Sequence, residues 1–157
     1  MDYLTTIRLA ESLQDKSIYD ALAELKIPVI IQSNFLDGKH DAAIISNKGD
    51  ATIFIKPDLG LLYSEFLLWH ELGHFLDSEF STEEYRYNKS SKKSDEERTA
   101  NTFAVVRLLG RYNPGDKDII SASREHGIPT EITKDVIFSM RNLSNNRVAR
   151  HYFDQYR

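Results

Sequence analysis

The sequence predicts a single α+β domain with N-terminal helices, a small, mostly antiparallel three-stranded sheet and a helical second half. Three observations predict it. Apolar residues recur at helical spacing at the start of the chain, three β-type segments bounded by turn signals follow, and an apolar stretch too long for a strand comes next.

The first helix is read from Leu4, Ile7, Leu9 and Leu13, and the second from Ile18, Leu22 and Leu25. Pro28 closes the second, because proline has no N–H to donate and its ring clashes with the preceding turn. Val29-Ile30-Ile31 begins a strand expected to end near the turn Asp37-Gly38-Lys39. Ala42 to Ser46 and Ala51 to Lys56 are two further strands, and the connection Asn47-Lys48-Gly49-Asp50 suits a hairpin because it contains a glycine.

After Pro57, the residues Leu61, Leu62, Phe66, Leu67, Leu68, Leu72, Phe75 and Leu76 predict a largely buried helix. The chain then turns polar from Ser81 to Glu96, which predicts an exposed loop. Ser94 with Glu97 three residues on is a helix N-terminal signature, and Ala100, Phe103, Ala104, Val106 and Leu108 carry that helix to Gly110. A turn at Asn113-Pro114-Gly115-Asp116 precedes two last helices, Ile119 to His126 and Ile132 to Leu143, separated by Gly127-Ile128-Pro129. No repeat or linker divides the chain. The expectation is one domain over 1–157, with a core at about 29–110 and a helical C-terminal extension at about 116–157.

Composition narrows the chemistry. Hydrophobic residues make up 41% and charged residues 28%, a balance that supports a packed core. The net charge of -4 disfavours nucleic-acid binding over the whole surface, since that affinity comes from neutralising phosphates. With no cysteine, disulfides, thiolate ligands and a cysteine nucleophile are excluded, and any metal must use histidine and carboxylates. The start Met1-Asp2-Tyr3-Leu4 lacks the pattern of a secretory signal and no stretch is long enough to span a bilayer, so a cytoplasmic location is expected.

The segment Trp69-His70-Glu71-Leu72-Gly73-His74 carries the chemistry. His70 and His74 lie four apart on a helix and project from one face, so two imidazoles can share one metal. Zinc accepts neutral imidazole, and a catalytic site adds one protein ligand and keeps a position for water, which Glu71 is placed to deprotonate. Left unpartnered in an apolar helix, the imidazoles and the carboxylate would each cost about 1–3 kcal/mol, which weighs against these being ordinary helix residues. The longer metzincin pattern fails, because Asp77 and Phe80 stand where it needs Gly and a further ligand. A carboxylate on the later helix remains as the third ligand. Asp95, Glu96 and Glu97 are the nearest, and the apolar pattern does not choose among them.

His70-Glu71-Leu72-Gly73-His74 followed by Glu97-Arg98-Thr99-Ala100-Asn101-Thr102-Phe103-Ala104 resembles the ImmA/IrrE family of metallopeptidases, over about Ile53 to Leu109. The resemblance implies a minimal zincin-like, gluzincin-type fold of bacterial or mobile-element origin. It implies zinc held by His70, His74 and Glu97, and Asn101 one turn later as a hydrogen-bond partner of a ligand histidine. Ile53-Phe54-Ile55-Lys56 resembles the family's strand before the active-site helix. The chain departs from the family at Ser78, where many relatives carry histidine, and at Arg107-Leu108-Leu109-Gly110, where the usual pattern is Leu-Leu-Met-Pro.

The activity implied is cleavage of a protein, commonly a helix-turn-helix repressor, by a zinc endopeptidase. The alternative is a zinc-containing antirepressor or sensor that binds its partner without cutting it, and intact Glu71 argues against it. Tyr63, Tyr85, Tyr112 and His126 are candidates to stabilise an oxyanion, although His126 before Gly127 also suits a helix end. If the strand Ala51 to Lys56 is at the sheet edge, an extended substrate can add to it. Arg141, Arg147, Arg150 and Arg157 interleave with Tyr152, Phe153 and Tyr156 in a basic aromatic tail, which more often forms a solvated helix face than a nucleic-acid surface.

Overall fold

The structure, a computed structural model, describes residues 1–35, 38–80, 92–110 and 118–142, except the side chains of 80, 92–94, 141 and 142. Among the described residues there are six helices and one three-stranded sheet. Helix α1 (Tyr3–Ser12) starts at Asp2, whose carboxylate accepts from the Thr5 N–H at 2.8 Å. Helix α2 (Ile18–Glu24) starts at Ser17, whose hydroxyl accepts from the Asp20 N–H at 3.1 Å. Each cap satisfies a donor that a helix terminus leaves open.

Strands β1 (Val29–Ile31), β2 (Ala42–Asn47) and β3 (Asp50–Ile55) form the sheet in the order β1-β3-β2. The expected hairpin joins β2 to β3. Its two turn residues, Lys48 and Gly49, have φ of 50° and 91°, the positive values that let a two-residue turn follow the twist of the strands.

The longer pairing, β2 with β3, is antiparallel as expected, while β1 pairs with β3 in parallel. The condition that Ala51 to Lys56 lie at the sheet edge is not met, because β3 is central with β1 and β2 on either side. Ile31 and Ala42 both pair with Ile55, so the segment between them needs only to pass the end of β3. Lys56 helps hold that passage through Nζ, which donates to the Gly38 carbonyl at 3.0 Å and meets Asp41 Oδ1 at 3.4 Å. The strand expected to run on toward residue 37 stops at Ile31, because its partner β3 ends at Ile55.

Helix α3 (Leu61–Phe80) buries Phe66, Leu67, Leu68, Trp69 and Leu72 against the sheet face that carries Ile53 and Ile55, and against helix α4 (Lys92–Leu109). α4 begins at Lys92, ahead of the expected cap, so residues 92–96 are helical and Ser94 lies within the first turn. Asp95 also lies in that turn, where a negative charge meets the positive end of the helix dipole.

Helices α5 (Ile119–Glu125) and α6 (Thr130–Asn142) follow. Gly127 joins them at φ +68°, and a Cβ there would lie 2.6 Å from Leu62 backbone carbon, so this pair approaches the start of α3 only through glycine. The expected turn at 113–116 and the residues from Leu143 onward, with most of the basic aromatic tail, lie outside the described residues, as does most of the polar segment from Ser81. Among the described residues no helix is long and apolar enough to cross a membrane.

Candidate metal centre

The four-residue spacing on α3 places His70 and His74 one turn apart, with ring centroids 4.7 Å apart at 85° and Nε2 atoms 3.1 Å apart. Phe66, a turn earlier, lies beside the His70 ring at 6.1 Å. The two nitrogens converge on α4.

Gly73 lets α4 come close. A Cβ on Gly73 would lie 3.0 Å from Ala100 Cα and 3.2 Å from Phe103 Cδ1, tighter than an ordinary contact. Ala100 is itself fully buried, so two small residues set the separation of the helices. Glu97 precedes Ala100 by three residues on the same face of α4, and therefore reaches the histidines across the crossing. Its Oε1 lies 3.2 Å from His74 Nε2 and its Oε2 3.5 Å from His70 Nε2. Of the three neighbouring carboxylates it is the one brought to the imidazoles. Asp95 instead pairs with Arg98 at 3.5 Å, and Glu96 is exposed.

These distances fit a small tetrahedral ion. Ligands at about 2.0–2.2 Å from a tetrahedral centre stand about 3.3 Å from one another. The two imidazole nitrogens at 3.1 Å and Glu97 Oε1 at 3.2 Å from His74 lie near that value, while the 3.5 Å approach to His70 is made by the other carboxylate oxygen, Oε2. Among the described residues, His70, His74 and Glu97 are the one group of three metal-ligating side chains whose ligand atoms lie within 4.8 Å of one another. The Glu97 side chain is 50% exposed, against 13% and 20% for the histidines, so one side of the cluster is open to a further ligand.

The electrostatics suit a cation. Hydrogen bonds from His70 and His74 hold the Glu97 carboxyl well below the usual carboxylate range. Burial works against charge on His74, but the hydrogen bond to Glu97 and the carboxylates of Glu71, Glu97 and Glu96 outweigh it and raise its pKa. Two imidazoles therefore face a carboxylate that stays ionised.

Glu71 points from α3 toward the sheet. It is 6% exposed, and its Oε2 accepts a hydrogen bond from the Ile44 N–H of β2 at 2.9 Å. Burial pushes its carboxyl up, against the pull of His70, His74 and the Ile44 bond. Such a group is suited to take up and return a proton.

The other sequence candidates fall in different places. Asn101 lies on α4 one turn after Glu97, but its Oδ1 is buried without a hydrogen-bond partner, and so is His70 Nδ1. A bond between these two atoms is not formed. The Tyr63 hydroxyl donates to Asp41 Oδ2 at 3.0 Å, and burial together with that contact pushes its pKa up. It is thus engaged at the Asp41 end of β2. His126 is the C-cap of α5, with its N–H bonded to the Ala122 carbonyl at 3.1 Å. Tyr85 and Tyr112 lie outside the described residues. Sequence reasoning missed the Ile44 amide, since every residue but proline carries one and only its position at a strand edge singles it out.

No protein-family model, curated protein or solved structure matches this chain.

Proposed function

We propose that the protein is a zinc-dependent endopeptidase of the ImmA/IrrE type that hydrolyses a peptide bond in a protein substrate, a helix-turn-helix transcriptional repressor in the cytoplasm. The observation that carries the reading is the convergence of His70, His74 and Glu97 within 4.8 Å of one another, with the buried carboxylate of Glu71 beside His70.

His70 and His74 would hold the ion as neutral ligands, and Glu97 would supply one negative charge. A bound zinc would polarise the scissile carbonyl and make a water acidic enough to attack it at neutral pH. Glu71 takes the proton of that water on its carboxylate and returns it to the leaving amine. The packing of Trp69 and Leu72 beneath this face keeps the histidines and Glu71 on a rigid helix, so little reorganisation accompanies the reaction.

The substrate is an extended segment lying along β2. Since β3 is central, β2 is an edge strand among the described residues, and the Ile44–Glu71 bond joins its outer side to the α3 face that bears Glu71. Asp41 and Tyr63 mark one end of that edge.

Incubating the zinc-loaded protein with an unbiased mixture of synthetic peptides, with mass spectrometry of the products, tests the reading. Internal cleavage by the wild type and none by Glu71→Gln is expected. Partner binding without cleavage by either would favour the antirepressor or sensor.

A further inference from the structure

The Asp41 carbonyl accepts from the Lys56 N–H at 2.9 Å, so on this strand the odd-numbered residues turn their backbone groups toward β3. Ala42, Ile44 and Ser46 consequently turn theirs away from β3, toward an edge unpaired among the described residues. An N–H there ordinarily meets water or an incoming strand. That of Ile44 instead meets Glu71 Oε2 at 2.9 Å, and Glu71 is buried. A glutamate side chain has three rotatable bonds, and a donor fixed in a sheet removes much of that freedom from its carboxylate.

We propose that the Ile44 amide is a positioning donor for Glu71: it holds Oε2 and leaves Oε1 as the oxygen that exchanges protons with the reacting groups. The proposal rests on the reading of Glu71 as the general base. It also sets how a peptide lies on β2. With its N–H engaged, Ile44 offers an incoming strand only its carbonyl, and the remaining edge bonds fall to Ala42 and Ser46.

Two measurements on the zinc-loaded protein test this, one of them independent of activity. In amide hydrogen exchange by NMR, Ile44 is expected to be protected although it points off the sheet, Ser46 on the same edge to exchange freely, and Glu71→Ala to remove the protection of Ile44 while sparing Ala43 and Ile45. In kinetics, Ile44→Pro deletes the N–H without breaking a bond to β3. It is expected to lower kcat about tenfold or more with KM little changed, in the range seen when groups that orient a site are removed. Ile44→Ala keeps the N–H and controls for the lost side chain, and Ser46→Pro, which removes an edge donor offered to the peptide, is expected to raise KM. Neither should lower kcat as far as Ile44→Pro does, so a fall in kcat with KM little changed marks the loss of the Ile44 donor.

Exchange at Ile44 as fast as at Ser46, or a kcat for Ile44→Pro no lower than that of the two controls, would overturn the positioning role alone when the wild type still cleaves. A protected Ile44 in a wild type that cleaves nothing would overturn the role together with the reading beneath it.

Discussion

Helix α3 is joined to its two neighbours in opposite ways. Toward α4 it presents Gly73 against Ala100, a contact made by leaving side chains out, and this brings Glu97 within 3.2–3.5 Å of the imidazoles. Toward β2 it extends Glu71 to a single backbone donor at 2.9 Å. The geometry of the His70, His74 and Glu97 cluster is thus a property of helix packing, which tolerates little added volume, whereas Glu71, the proposed base, is set by one hydrogen bond at a sheet edge. The two sides should fail separately.

The largest effect is expected at the base. Glu71→Gln should lower kcat by about 10²–10⁴-fold while leaving metal content unchanged, measured by peptide cleavage beside elemental analysis. Next comes the helix crossing, where Gly73→Val must push α4 away. We expect about 1–3 kcal/mol of destabilisation by chemical denaturation and a marked loss of metal affinity against a competing chelator, with Ile44 still protected from exchange. A Gly73 variant that bound metal normally would break the proposed link between packing and ligation.

Asn101→Ala is a smaller perturbation. Its Oδ1 and the His70 Nδ1 are both buried without a partner, and the resemblance implies that Asn101 bonds a ligand histidine in the metal-bound protein. A loss of about tenfold in metal affinity is then expected, and no loss would leave Asn101 a packing residue.

The pH dependence has a definite sign. In the metal-free chain His74 has a pKa raised above 6.5, so its contribution to stability is full below that value and is lost as pH rises through the folded pKa. Glu97 has a pKa lowered from 4.5, so its contribution is present above that value and is lost as pH falls through the folded pKa. Their contact therefore supports the metal-free fold most fully between pH 4.5 and 6.5, as denaturation at several pH values would show. Because metal takes the neutral imidazole, binding near neutral pH should release protons, detectable by calorimetry in buffers of different ionisation enthalpy.

Much of the centre was legible because its signals are local. The spacing of His70 and His74 needs only the helical period, and the caps and the hairpin need only a few neighbouring residues. Glu97 was less so, since Asp95, Glu96 and Glu97 share one stretch of α4 and only the packing against Gly73 selects the third. The place of β3 at the centre of the sheet was not legible, because strand order is a long-range choice that composition and period do not encode. The early start of α4 also departs from the capping signal at Ser94, where the acidic run that follows favours a helical first turn.

Metal content after purification without chelator tests most directly whether His70, His74 and Glu97, from two helices, hold one metal ion. One zinc per chain in the wild type and in Glu71→Gln, and little or none in His70→Ala and Glu97→Ala, is the predicted result. Metal-free protein throughout, or zinc that survives Glu97→Ala undiminished, would contradict it.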